Sequence, residues 1–201
     1  MKVNLQTYKV TLLCVTAFLA LLVASPALQR LLVYPQTDFF SEMWLLSSDH
    51  TAAGYPYNVT LNENYNVFLG VSNHLGHCAY YVVQVKFRTQ NQSAPDPFAR
   101  TPSSLSPLYS INFVVADKEA WELPVTFSFD YSYDENNSQV DFNQMMFNGA
   151  ALNINGYSAP WDAEKSRFLG NLIFELWIYN DTIGGLTYHE RYNDLNFNMT
   201  V

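Results

Sequence analysis

One stretch limits the possible folds more than any other. From position 121 to 131 apolar and polar residues alternate without a break. Trp121, Leu123, Val125, Phe127, Phe129 and Tyr131 fall on one side of an extended chain; Glu122, Pro124, Thr126, Ser128 and Asp130 fall on the other. A period of two is the mark of a strand with one buried face. Pro124 has no N–H to give to a ladder, which predicts that this strand lies at an edge or at a bulge.

The same alternation recurs elsewhere. Tyr81, Val83, Val85 and Phe87 alternate with Gln84, Lys86 and Arg88; Val67, Leu69 and Val71 alternate around Phe68 and Gly70. Leu195, Phe197, Met199 and Val201 alternate with Asn196, Asn198 and Thr200, a register that points Asn198 outward. Weaker strands are expected over 40–46, 58–61, 109–115, 151–154 and 172–179. The last is apolar on both faces apart from Glu175, as a central strand would be. Gly54-Tyr55-Pro56, 73–76, Asn148-Gly149, Asn155-Gly156 and Gly184-Gly185 supply turns, and Asn148-Gly149 between apolar runs is a hairpin signal. The stretches 90–107 and 156–167 read as long loops. Phe142, Met145 and Met146 have helical spacing in a segment too short to decide. Eight or nine short strands, with turns every ~8–12 residues, predict an all-β, immunoglobulin-like antiparallel sandwich.

The first 33 residues differ. Residues 10–24 are apolar except for Thr11 and Thr16, and with Ala27 and Leu28 the run approaches the ~20 residues that span a bilayer. Lys2 and Lys9 precede it and Arg30 follows, which predicts a single pass with the N-terminus inside. Ser25-Pro26-Ala27 also fits a signal-peptide cleavage site after Ala27. The proline, and the apolar Leu31-Leu32-Val33 beyond it, favour an anchor over a secreted product. The expected organisation is a cytoplasmic tail over 1–9, a transmembrane anchor over 10–33 and an extracytoplasmic domain over 34–201. Asn58, Asn91, Asn136, Asn180 and Asn198 each open an N-x-S/T sequon, in keeping with that address and with N-glycans.

Charge excludes one class of partner. From position 31 onward seven Lys or Arg face 18 Asp or Glu, a balance of −11, which repels phosphate backbones, so no nucleic acid is expected. Cys14 lies in the apolar run, so Cys78 is a lone thiol in the folded part, a setting in which cysteine is usually a small buried hydrophobe.

The stretch 39–81 resembles the soluble domain of the "domain of unknown function 1616" family, membrane proteins found largely in archaea. The likeness rests on Glu42, Leu45-Leu46, Gly54-Tyr55-Pro56, Asn58-Val59-Thr60, Glu63-Asn64, Gly70-Val71, Asn73-His74 and Tyr80-Tyr81, with Glu119 and Trp121-Glu122 at a later strand opening. The resemblance implies an extracytoplasmic β-sandwich beside a membrane helix, and supplies no activity. Many members carry several helices before this domain where this chain has one, which argues against a transporter-like or channel-like role.

Few constellations could carry chemistry. His74-Leu75-Gly76-His77-Cys78 offers three ligands for zinc or copper, with only His50 and His189 elsewhere, and reads more simply as a turn pivoting on Gly76. Asp130, Asp134, Glu135 and Asp141 gather near one turn without an EF-hand pattern. No G-x-S-x-G elbow or phosphate-cradling loop is present, and no carboxylate pair stands out. Tyr55, Tyr57, Tyr131, Tyr133, Tyr157 and Trp161 lie at or near turns, where aromatics stack on sugars or cover the ends of a sandwich. The sequence therefore predicts a membrane-anchored, non-catalytic interaction or structural protein with no cofactor, bound to lipid through its helix and to a protein at the outer face. The alternative is a module that binds surface sugars or another ligand; a metal-binding envelope protein ranks below both.

Overall fold

The computed structural model describes residues 5–31, 39–90, 92–96 and 98–201. The chain divides into two compact units, Met1–Asp38 and Phe39–Val201. The first contains helix α1, Leu5–Leu31, whose side chains are described over 8–23. Among the described residues no helix is long and apolar enough to cross a membrane. The expected cleavage triplet and the far end of the expected anchor lie outside the described side chains, as does most of the expected tail.

The second unit is β throughout. Its strands are β1 Phe40–Ser47, β2 Asn58–Val59, β3 Tyr65–His74, β4 Ala79–Thr89, β5 Tyr109–Val115 and β6 Ala120–Asp134. They continue with β7 Gln139–Phe147, β8 Ala150–Asn153, β9 Ser158–Asp162, β10 Arg167–Asn180 and β11 Gly185–Met199. One ladder runs β1-β3-β6-β7, with β8 on the end of β7; the other runs β5-β4-β10-β11-β2. β9 joins them, pairing with β7 through Ser158–Pro160 and with β10 through Trp161 and Asp162. Every pairing is antiparallel except β11 with β2. The sheet curls so that its two ladders face each other. Phe87 of β4 lies 5.4 Å from Phe129 of β6 and 4.8 Å from Phe142 of β7, and Phe113 of β5 stacks on Trp121 of β6 at 3.8 Å. Phe197 of β11 meets Phe127 and Phe129 at 5.3 and 5.5 Å. Burial of these rings supplies the main drive for closing the sheet, at roughly 1.5–3 kcal/mol per large apolar side chain.

Two expectations are corrected and one undecided segment is resolved. The stretch 156–167 is not one loop, because β9 occupies Ser158–Asp162. Phe142 and Met145 belong to a strand: the β6–β7 register shifts between Asp130 and Tyr131, so β7 carries an extra residue. That bulge turns a two-residue step into a three-residue one, and both residues stay buried while imitating helical spacing. Among the described residues there are eleven strands rather than eight or nine. β10 is central, flanked by β4 and β11, as its apolar faces required.

Pro124 follows its chemistry. The peptide groups that β6 turns toward β3 belong to odd-numbered residues, since Asn73 N–H donates to the Glu119 carbonyl and that parity runs on into the strand. Thr126 faces the other way, exchanging bonds with Asn148. Pro124 shares Thr126's side, where 120–126 have no paired strand among the described residues.

Candidate functional site

The candidate metal ligands form a turn. His74 stacks on Phe40 with centroids 4.7 Å apart, and His77 Nδ1 is 3.0 Å from the Leu75 carbonyl oxygen. Cys78 is a free and exposed thiol, not the buried hydrophobe expected. Gly76 takes φ +77°, as the pivot requires, and its N–H donates to Asp117 Oδ1 at 2.8 Å. Elsewhere His50 stacks on Phe68 at 3.6 Å and meets Glu122 Oε1 at 3.2 Å. Among the described residues no three His, Cys, Asp or Glu side chains converge on one point. Of the acidic cluster, Asp134 caps the β6–β7 turn, accepting from Asn137 Nδ2 at 2.6 Å and Asn136 N–H at 2.9 Å. The Asn137 bond leads in holding that carboxyl below its ordinary value.

Sequence reasoning missed two buried polar clusters. In the first, Asn73, fully buried, donates from Nδ2 to the carbonyls of His77 and Val115 and accepts from Leu75 N–H. Tyr81 Oη donates to Asn73 Oδ1 at 3.2 Å and lies 2.6 Å from Ser41 Oγ, which is 2.9 Å from His189 Nε2. Burial, and after it the Arg191 charge, holds the His189 imidazole below its ordinary value. A Ser–His pair suggests an activated nucleophile, but Ser41 is only 2% exposed and its oxygen is already shared by two partners. The cluster joins β1 to β11.

The second cluster lies on the outward side of β4 and β10. Lys86 Nζ is 2.7 Å from Glu175 Oε2, and the two residues are 2% and 0% exposed. Ser103, in the connection between β4 and β5, closes over them: its carbonyl accepts from Lys86 Nζ at 3.1 Å and its N–H donates to Glu175 Oε1 at 2.7 Å. Burial, and after it the Glu175 charge, pushes the Tyr188 phenol up to about 12. In the sequence Lys86 belongs to a polar face with Gln84 and Arg88, and Glu175 is the lone charge of an apolar strand, but their pairing needs the β4–β10 register.

The candidate aromatics separate. Tyr131 is buried, its single O–H shared between the carbonyls of Thr200 at 2.7 Å and Val59 at 2.9 Å, and Tyr157 packs on Phe87 at 5.6 Å, so neither is a loop-tip ring. Tyr55 donates to the Leu45 carbonyl at 2.6 Å. Tyr57 remains exposed. Tyr133 and Trp161, 42% and 45% exposed, flank Phe168 and, with Ser138 and Val201, line a recess of about 350 Å³. Of the sequons, Asn58 and Asn136 are exposed, and Asn180 and Asn198 are half-buried. Asn198 Nδ2 donates to Asn58 Oδ1 at 3.0 Å. Asn91 lies outside the described residues.

The sheet edges differ in how they are closed, and an open edge is a template for another strand. On β1, the Met43 carbonyl accepts from Asn193 Nδ2 at 3.1 Å and the Leu45 carbonyl from Tyr55 Oη. The free half of β6 carries Glu122 and Pro124. β8 has four residues and β2 two. β11 is irregular at His189 and Glu190, where its register against β10 shifts. β5 has none of these devices. Among the described residues it pairs with β4 alone, and it carries no charge or proline. The Val85 carbonyl accepts from Leu108 N–H, and the Val115 carbonyl faces Asn73 on the β4 side. Odd-numbered residues of β5 therefore turn their peptide groups toward β4, and Ser110, Asn112 and Val114 turn theirs outward. No outward group of these three has a partner among the described residues.

A family model described as "Domain of unknown function (DUF1616)" matches residues 35–164. No curated protein matches the chain. Among solved structures, a β-glucosidase from Listeria innocua in complex with glucose has 10% identity and a TM-score of 0.38; the match covers 81% of this chain and 16% of that one. A structure of the complex between zinc 2-glycoprotein and prolactin inducible protein from human seminal plasma has 8% identity and a TM-score of 0.38, covering 83% and 99%. This chain spans under a fifth of the length of the glucosidase.

Proposed function

The chain belongs to the family described as domain of unknown function 1616, and we propose that it is a membrane-anchored, extracytoplasmic interaction protein, non-catalytic, whose contact is made by strand addition at β5. The observation that carries this reading is the uncapped, uncharged edge from Tyr109 to Val115 in a sheet whose other edges are capped, short, irregular or blunted. The strand order β1-β3-β6 against β5-β4-β10-β11 supports an immunoglobulin-like sandwich, with the β7–β9 segment as an addition. The apolar run from position 10, flanked by Lys2, Lys9 and Arg30, supports a single-pass anchor with its N-terminus inside. The sequons at Asn58, Asn136, Asn180 and Asn198 would then face a compartment where glycans are added.

Both polar clusters serve the fold in this reading. Ser41–His189 ties β1 to β11, and Lys86–Glu175 pins the connection into β5. The test is a mild-detergent pull-down of the tagged full-length chain from its native membrane, with the mass of the purified species measured. A stoichiometric companion, whether another protein or a further copy, is expected. A chain recovered alone and monomeric overturns the reading.

The recess between Tyr133 and Trp161 favours a second reading, a sugar-binding module. Two half-exposed rings, a tyrosine and a tryptophan, in a recess that Ser138 also lines have the amphipathic character that stacks on a pyranose. It predicts glycan-array signal that is lost in Trp161→Ala. An array without signal for the wild type removes it.

A further inference from the structure

We infer that the occupant of the β5 edge is the β5 strand of a second copy, paired antiparallel about Asn112. The inference deepens the interaction reading above and rests on it.

Three observations select a second copy. The first is register. The outward peptide groups belong to Ser110, Asn112 and Val114, so antiparallel pairing centred on Asn112 sets Asn112 against its counterpart and Ser110 against Val114 of the other copy. All three become hydrogen-bonded pairs. The same register sets Tyr109 against Val115 and Ile111 against Phe113, all on the inward face, so the two cores run together without a polar residue between them.

The second is charge. From position 31 the chain carries a balance of −11, which opposes the approach of two identical copies. Residues 108–116 contain no ionisable acid or base other than the Tyr109 phenol. Identical acidic surfaces can meet along this strand without opposed carboxylates.

The third is exposure. On the outward face Val114 is 60% exposed and its register partner Tyr80 is 40% exposed. Two-fold pairing brings each such step beside Ser110 of the other copy and extends a single sheet across both. The described sequon asparagines lie on β2, in the β6–β7 turn, at the last residue of β10 and on β11, and none lies on β4 or β5.

The direction of the peptide groups sets the test. At Asn112 the N–H points away from β4, so Asn112→Pro removes no ladder bond within the molecule and blocks the outer edge. The full-length chain in detergent is followed by size-exclusion light scattering over a concentration series. Wild type is expected to be dimeric, and Asn112→Pro to raise the dissociation midpoint at least about tenfold. Asn112→Lys and Asn112→Asp, each placing like charges opposite each other, are expected to be monomeric alone and to form a heterodimer when mixed. That rescue separates lost pairing from lost folding.

A wild-type chain that stays monomeric overturns the inference, as does a dimer that survives both Asn112→Pro and Asn112→Lys. A monomer that still brings a stoichiometric different protein from its membrane overturns self-pairing and leaves the interaction reading intact.

Discussion

β1 and β5 are edge strands of nearly equal length, eight and seven residues, on ladders that face each other, and the chain treats them in opposite ways. Along β1, outward carbonyls meet side chains that fit them: Asn193 at Met43 and Tyr55 at Leu45. Ser41 is held by Tyr81 and His189. Along β5, the outward groups of Ser110, Asn112 and Val114 meet nothing described. A peptide group facing water costs nothing, so the open edge is no defect of stability. What differs is availability. Side chains from β11 and the segment after β1 close one edge, and the other has been kept regular and uncharged.

The open edge is nevertheless firmly held, and the largest expected effect tests that. The connection entering β5 is fastened at Ser103 by the buried Lys86–Glu175 pair. Lys86→Met leaves the Glu175 carboxylate buried without its cation, and should cost about 3–5 kcal/mol in chemical denaturation. Replacing both partners, Lys86→Met with Glu175→Leu, should recover much of that loss, because the desolvation cost goes with the charges. Proteolysis within 92–107 should rise in the single variant. If it does not, Ser103 is not what fastens the connection.

Gly70 tests the closed side. Trp44 of β1 lies over it, and a Cβ there would overlap the indole, so the ring must leave its place and lose its 3.3 Å contact with Glu122. Gly70→Ala should cost about 1–3 kcal/mol. Trp44→Ala in the same background should remove most of the further penalty, since the clash then has no partner.

These residues also show what could be read in the sequence. Alternation located β3, β4, β6 and the end of β11, because a half-buried strand must sort its side chains by parity, and weaker apolar runs marked β1, β5 and β10. It failed at β7, where a bulge broke the parity, and at β9, where five residues with a proline carry too short a pattern. Gly70, Tyr55 and Asn73 were visible as family-like positions, yet their roles depend on what lies across the sheet: an indole, a carbonyl, a turn. The two buried clusters join residues 89 and 148 positions apart, and no local signal encodes such a pairing. The open edge could not be read either, since it depends on which strand has only one neighbour.

Uncapping β1 should make the two edges more alike. Tyr55→Phe removes the donor to the Leu45 carbonyl and should cost about 0.5–1.5 kcal/mol. Combined with Asn193→Leu, which frees the Met43 carbonyl, it should leave a second edge able to pair, seen as species larger than a dimer in light scattering. A variant that is less stable but no larger would show that other features keep β1 from pairing.

The smallest expected effect is on pH, and it separates the edges without a mutation. His189 is favoured in its neutral form by the fold, through burial and then Arg191, with Glu190 opposing. Its native value lies below the ordinary 6.5, so the unfolded chain binds the proton first as pH falls. Stability is therefore full above 6.5 and declines below it, until the native imidazole also titrates. The loss falls on β1, because His189 Nε2 meets Ser41, whereas β5 offers nothing that titrates in this range. Hydrogen exchange at pH 7 and pH 5, corrected for intrinsic rates, should show protection falling around Ser41 and holding at Ile111 and Phe113. His189→Gln should flatten the difference at β1, and an unchanged difference would mean that another group carries it.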